Sequence, residues 1–230
     1  MDTLTSPPVA DVLARLFAEA DAADAPLHAQ WADALQDNNA EIADLLAQEA
    51  ADYKGVYHGY ADNFLNISAE FGRFLYICAR ARQAKRIVEF GTSFGISPIH
   101  LAVALHDGGG GHLVNTELEP TKAARAHQNL AAAGVEDLVD IRVGDALETL
   151  RDGIDGPIDL VLIDGAWSLY LPVLRLLEPH LKAGALVIAE NAVDQSGDYL
   201  SYVRDPASGY RSLPLPFEPG RGNELSVRTG

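Results

Sequence analysis

The chain has 230 residues, 48% of them hydrophobic, enough for one domain with a sizeable core or one domain with an appendage. Its 33 acidic against 17 basic side chains leave a formal charge of −16, which works against a nucleic-acid partner and favours a small-molecule substrate. One cysteine, Cys78, excludes an intramolecular disulfide or thiolate cluster; the apolar runs fall short of a membrane span of roughly 20 residues and no basic signal precedes them, so a soluble, cytoplasmic protein is expected.

Ser6 and Pro7 read as N-cap and first residue of a helix carrying Val9, Val12, Leu13, Leu16 and Phe17 at helical spacing. Leu27, Trp31 and Leu35 continue the pattern, followed by Ile42, Leu45, Leu46 and Ala50. Trp31 lies on this stripe as a core residue or a contact with a second subunit, so a homodimer is expected. The segment "DYKGVYHGYADNFLNIS" breaks periodicity with two glycines and collects Tyr53, Tyr57, His58 and Tyr60, which suggests a loop or lid. Residues 1–65 thus form a helical extension with its lid, and 66–230 the main domain.

A helix over 69–81, with Cys78 as inert packing, leads into strands near Ile87, Leu113, Ile141, Leu160 and Leu186. Helices near Ser97, Lys122, Leu147, Leu169 and Asp198 separate or follow them. Strands alternating with helices give an α/β, doubly wound, mostly parallel sheet covered on both faces. The closing "YRSLPLPF" and "NELSVRTG" flank "EPGRG" with no helix between, the pattern of an antiparallel hairpin on one sheet edge.

Polar groups gather where the strands end. "VEFGTSFGIS" places Gly91 and Gly95 after the first strand, with Ser93 and Ser97 at the following helix start, where backbone N–H groups can meet a ligand. Ser93 stands where a G-x-G-x-x-G fingerprint needs its middle glycine, so an NAD-dependent oxidoreductase is disfavoured. The second strand ends in Glu117, placed to accept from ribose hydroxyls, with Glu119 as the alternative. Asp145 and Ala146, then Asp164, then Glu190 with Asn191, follow the third, fourth and fifth strands. Such regular placement suggests a shared cleft.

From Asn66 to Asn191 these motifs resemble the class I S-adenosylmethionine-dependent methyltransferases, and among them the small catechol-type and caffeoyl-CoA-type O-methyltransferases. The quoted runs "VEFGTSFGIS", "NTELEPTKAARAHQNLAAAG", "RVGDALETL" and "IDLVLIDGAWSLYLPVLRLLEPHLKAGALVIAEN" occur in the family's order. The resemblance implies a Rossmann-like seven-stranded sheet and O-methylation of a small, aromatic hydroxyl compound. It places Glu89, Gly91, Ser93, Gly95 and Ser97 on the methionine part of the cofactor, Glu117 on its ribose, and Asp145 with Ala146 on its adenine. Asp164 serves both cofactor and chemistry. In many relatives a divalent cation, usually Mg²⁺, activates the hydroxyl; Asp164, Glu190 and Asn191 match its ligands, for Mg²⁺ or Ca²⁺. Two departures stand out. Trp167 occupies the place of the family's lysine base, and Glu190 replaces an aspartate. They leave His58 or His100 as replacement bases, with His58 favoured and Trp167 as a stacking surface. They also keep open a second reading, a cofactor-binding protein that has lost or changed methyl transfer.

Overall fold

The computed structural model describes the chain except for Met1, Asn38, residues 193–197 and 218–221, and the side chains of 30–42. The long N-terminal helix α1 spans Val9–Asp37, and α2 (Asn39–Gly59) and α3 (Ala69–Arg82) follow. Five β-strands then alternate with helices. They are β1 (Arg86–Phe90), α4 (Ile96–Asp107), β2 (His112–Glu117), α5 (Pro120–Ala133), β3 (Val139–Val143), α6 (Ala146–Thr149), β4 (Ile158–Ile163), α7 (Tyr170–Leu177) and β5 (Leu181–Ala189). After α8 (Asp198–Arg204) the chain ends in β6 (Tyr210–Pro214) and β7 (Glu224–Arg228).

The expected architecture is the observed one. The seven strands form one sheet in the order β3-β2-β1-β4-β5-β7-β6. The first five are parallel, and β7 runs antiparallel between β5 and β6. Every residue of β4 is buried, as coverage on both faces requires. One core lies between the sheet and α1, α3, α4 and α5, with Leu16, Leu75, Ile99 and Leu130; the other packs Val88 and Val161 against Leu174 and Tyr199 of α7 and α8. From Ile96 to Leu105, α4 is buried on every side, which accounts for a sequence apolar except at Ser97 and His100. A Cβ at Gly72 of α3 would stand 2.5 Å from His100 Nε2, so glycine there lets α3 lie directly on α4.

The chain leaves β1 outward to β2 and β3, then returns to β4 on the other side of β1. Strand order reverses between β1 and β4, and a crevice opens beyond their carboxyl ends. Phe90 pairs with Ile163, so the loop after β1 starts level with the one after β4, where Asp164 N donates to Phe90 O at 2.9 Å.

The pattern that Leu27, Trp31 and Leu35 continue lies on one helix of 29 residues running through Pro26. Two expectations need correction. Ser6 does not cap α1: its hydroxyl donates back to Asp2 O, and α1 begins at Val9. The segment read as a loop is helical over 53–59, after a kink at Asp52 (φ −152°, ψ 69°). The Asp52 carboxylate accepts from Gly55 N at 3.0 Å and starts the new helical piece, a cap that outweighs the two glycines. The stripe carrying Trp31, and the subunit contact it suggests, lie outside the described side chains, and most of the "EPGRG" turn lies outside the described residues. Cys78 is half-buried in α3, and burial pushes its thiol up to about 11, consistent with an inert packing role. Among the described residues no helix is long and apolar enough to cross a membrane.

Candidate active site

The loop after β1 is shaped by what it must avoid. Gly91 has φ +101°, and a Cβ there would fall 2.0 Å from the carbonyl oxygen of Asp164, so only glycine lets the two strand ends lie this close. Thr92 ties the loop to β2, its N–H and hydroxyl both donating to Thr116 O at 3.1 and 2.8 Å. Ser93 adopts φ +46°. Its N–H donates to Glu117 at 2.7 Å and its hydroxyl to Phe64 O at 2.5 Å. Glu117 also accepts from Glu119 N at 2.9 Å through its other oxygen. Burial pushes the Glu117 carboxyl up, opposed by these N–H donors and the nearby Lys122 charge. Each carboxylate oxygen keeps a second lone-pair position.

Under the loop, Glu89 is fully buried and accepts from Ser97 Oγ and, at 2.7 Å, from Asn115 Nδ2. Burial pushes its carboxyl up to about 8, with those two hydrogen bonds acting against the rise. A carboxyl raised in the folded state favours folding while it is protonated. Its contribution is whole below the unfolded value near 4.5 and is lost as pH climbs through about 8. Wild-type protein should therefore lose urea stability between about pH 4.5 and 8 relative to Glu89→Gln, which stays uncharged throughout. Parallel pH curves for the two proteins would show that Glu89 is ionised in the fold.

Beyond the strand ends lies an open cavity lined by Gly91, Ser93, Ser97, Glu117, Asp145, Ala146 and Asp164, under Tyr53, Tyr57, Phe64 and Leu65. Of the residues expected to hold a cofactor, Glu89 and Gly95 are absent from this lining: Glu89 acts through Ser97, and Gly95 (φ +97°) starts α4 against Ala126. Asp145 caps α6 by accepting from Leu147 N at 3.0 Å, and its other oxygen accepts from Tyr53 OH at 2.6 Å and Lys54 Nζ at 2.8 Å. Burial alone would raise this carboxyl; the bonds from Lys54, Tyr53 and Leu147 hold it below its ordinary value.

A second cavity adjoins the first. His28, Tyr57, Tyr60, Trp167, Tyr170, Glu190 and Asn191 line it, and Asp164, Gly165, Tyr57, Leu65 and Asn66 belong to both cavities. Glu190 is buried and its N–H donates to Ile163 O at 3.0 Å, while Tyr170 OH donates to Glu190 O at 2.7 Å. Asn191 takes φ +52° and donates its N–H to Asn223 Oδ1 at 2.8 Å, so the hairpin end of β7 braces the turn after β5. Trp167 opens a short helical turn whose next residue, Ser168, donates N–H and hydroxyl to the buried Glu49 at 3.1 and 3.2 Å.

The structure thus brings Asp164, Trp167, Glu190 and Asn191 together and leaves the proposed bases elsewhere. His58 is 79% exposed, pairs with Glu119 at 3.1 Å and lines neither cavity. His100 is buried in α4, donates to Ile96 O at 2.8 Å, and is held down to about 4 by burial. Two residues of the site went unread in the sequence. Glu49 interrupts the stripe Leu45, Leu46, Ala50 on its apolar side, a signal that was available; His28 sits beside Leu27 with nothing local to mark it.

A sheet of this order with a glycine loop after β1 and acids after β2, β3, β4 and β5 defines a class I methyltransferase domain. A family model described as a methyltransferase domain matches residues 88–192. The chain is 37% identical over 131 residues to the catechol O-methyltransferase of Mycobacterium tuberculosis, covering 57% of this chain and 59% of that protein. It is 35% identical over 132 residues to that of Niastella koreensis, covering 56% and 59%. The alignments thus span about 59% of the length of these two curated relatives. The O-methyltransferase TomG from Streptomyces achromogenes, solved in complex with SAM, superposes with TM-score 0.65 at 29% identity, covering 80% of this chain and 90% of TomG. Residues 88–192 thus match a methyltransferase domain, and over that region the chain is similar to the catechol and caffeoyl-CoA O-methyltransferases.

Proposed function

We propose that the protein transfers the methyl group of S-adenosylmethionine to a hydroxyl of a small aromatic acceptor. The observation that carries this reading is the shared wall: Asp164 and Gly165 line both cavities, so a cofactor in the first can present its methyl group to an acceptor in the second. When bound, the cofactor supplies a methyl carbon on a positively charged sulfur. The chain's task is then to align donor and acceptor. The first cavity suits the cofactor in the polar groups that line it. Gly91 and Ser97 border its methionine end, the unused lone pairs of Glu117 face the ribose, and Asp145 Oδ1 with Ala146 meets the adenine. Tyr57, Tyr60 and Trp167 give the second cavity ring faces on which an aromatic acceptor can stack. Residues 1–65 contribute His28, Leu45, Tyr57 and Tyr60 to that wall and Tyr53, Tyr57, Phe64 and Leu65 to the first cavity, so the helical extension shapes both.

Asp164, Glu190 and Asn191 offer the hard oxygen donors that Mg²⁺ or Ca²⁺ prefers, and an ion there would polarise the acceptor hydroxyl. Among the described residues no three His, Cys, Asp or Glu side chains form a metal-binding group, so the third ligand would have to be the neutral amide of Asn191. Cation binding is accordingly proposed to be weak, and activity to depend on it less than in relatives with a second aspartate. The test is to incubate the protein with labelled S-adenosylmethionine and a panel of catechols, phenols and amines, with EDTA or with added Mg²⁺, Mn²⁺ or Ca²⁺. Methylation of an aromatic hydroxyl that persists in EDTA is expected. Loss in EDTA with full recovery on one ion would overturn the cation proposal. Bound cofactor without transfer to any acceptor would favour the second reading, for which Trp167 at the lysine position is the support.

A further inference from the structure

The geometry points to His28 as the group that removes the proton from the acceptor hydroxyl, an inference that rests on the methyl-transfer reading above. His28 of α1 lines the second cavity together with Asp164, Trp167, Glu190 and Asn191, which follow β4 and β5. Trp167, at the lysine position, has a donor N–H and no acceptor lone pair in its indole. The two phenols nearest the shared wall are committed: Tyr57 OH donates to Gly165 O at 3.2 Å and Tyr170 OH to Glu190 O at 2.7 Å. Burial pushes both phenols far above their ordinary value, so they stay neutral. Asp164 and Glu190 are the acids matched above to a cation. Among the described residues lining this cavity, His28 is the one histidine. It is also exposed, so a proton it takes can pass on to water.

The step balances without another reactant. The acceptor oxygen forms a bond to the methyl carbon while the carbon–sulfur bond breaks and its electron pair stays on sulfur, giving S-adenosylhomocysteine. The hydroxyl proton goes to an imidazole nitrogen of His28 and then to solvent. Proton removal of this kind contributes on the order of 100- to 10,000-fold to rate. It contributes little when the acceptor is already ionised, and that difference separates a base from a residue that only shapes the pocket.

The experiment compares wild type, His28→Gln and His28→Ala on two acceptors. One is an ordinary catechol, protonated at the assay pH; the other is a nitrocatechol, ionised there. With the catechol, kcat/KM should fall roughly 100-fold or more in both variants, and with the nitrocatechol less than about 5-fold. Added imidazole should restore catechol turnover to His28→Ala. S-adenosylhomocysteine affinity within about 2-fold of wild type, by calorimetry, checks that the cofactor site is intact. Equal losses on both acceptors, or no loss on either, would overturn the assignment and leave Asp164 or Glu190 as the base. If wild type itself methylates neither compound nor any other hydroxyl acceptor, the transfer reading fails and this inference with it. If wild type turns over and the variants match it, only this inference fails.

Discussion

Replacing Glu117 by alanine is expected to weaken S-adenosylhomocysteine binding by about 1.5–3 kcal/mol, roughly 10- to 150-fold in Kd, because charge-assisted hydrogen bonds to the ribose are lost. The structure adds a second source of loss. Glu117 accepts from Ser93 N at 2.7 Å and from Glu119 N at 2.9 Å, so alanine also deprives the glycine loop of its anchor on β2. Glu117→Gln separates the two effects. Its amide oxygen still serves one N–H while its NH₂ faces the other, so the side chain's volume is kept and its acceptor capacity halved. Affinity should fall in the order wild type, Gln, Ala. Glu119 is engaged by the exposed His58 at 3.1 Å, and Glu119→Ala is expected to change affinity little. Titration calorimetry on folded variants reads all three. Unchanged affinity in Glu117→Ala, with a loss in Glu119→Ala, would move the ribose partner two residues along the chain.

How far the sequence showed this site depends on the distance over which each residue's role is set. Glu117, Asp145, Asp164, Glu190 and Asn191 were readable because a parallel strand delivers its last residue to the same sheet edge, a consequence of local pattern and strand direction. Gly91 was readable for a similar reason, although the contact that demands it, with the Asp164 carbonyl, is made 73 residues away. The helical extension was less legible. Gly55 and Gly59 lower helix propensity enough to suggest a loop, and the Asp52 cap that reverses this outcome is a single side-chain hydrogen bond. His28 was invisible in one dimension, since only tertiary packing brings it into the cavity that Trp167 also lines. His58 had the better local setting, among tyrosines, and its helix turns it toward Glu119 instead. Strand-end chemistry is encoded locally, whereas the choice of which helix residue faces it is a tertiary fact.

That distinction sets up the largest expected effect on the fold, Gly91→Ala. Two costs fall on the same methyl group. At φ +101° an L-residue is strained by about 1–3 kcal/mol, and the added Cβ would lie 2.0 Å from the Asp164 carbonyl oxygen, a clash relieved only by parting the ends of β1 and β4. Overpacking typically adds about 1–3 kcal/mol. Together, about 2–6 kcal/mol should appear as a fall in Tm of roughly 4–24 °C for a chain of this length. Gly134→Ala is the control: it has φ +73° but nothing within 4 Å of its Cβ position, so it carries the backbone strain alone, about 1–2 kcal/mol. The functional consequence differs even more. Asp164 and Gly165 line both cavities, so moving the Asp164 carbonyl displaces the wall at which methyl donor and acceptor meet. Gly91→Ala should therefore lose measurable S-adenosylhomocysteine binding even below its lowered Tm, while Gly134→Ala, at the C-terminal end of α5, should bind as wild type does. Equal drops in Tm for the two variants, or wild-type cofactor affinity in Gly91→Ala, would mean that the strand ends can part without cost and that the close approach at Gly91 is incidental to the site.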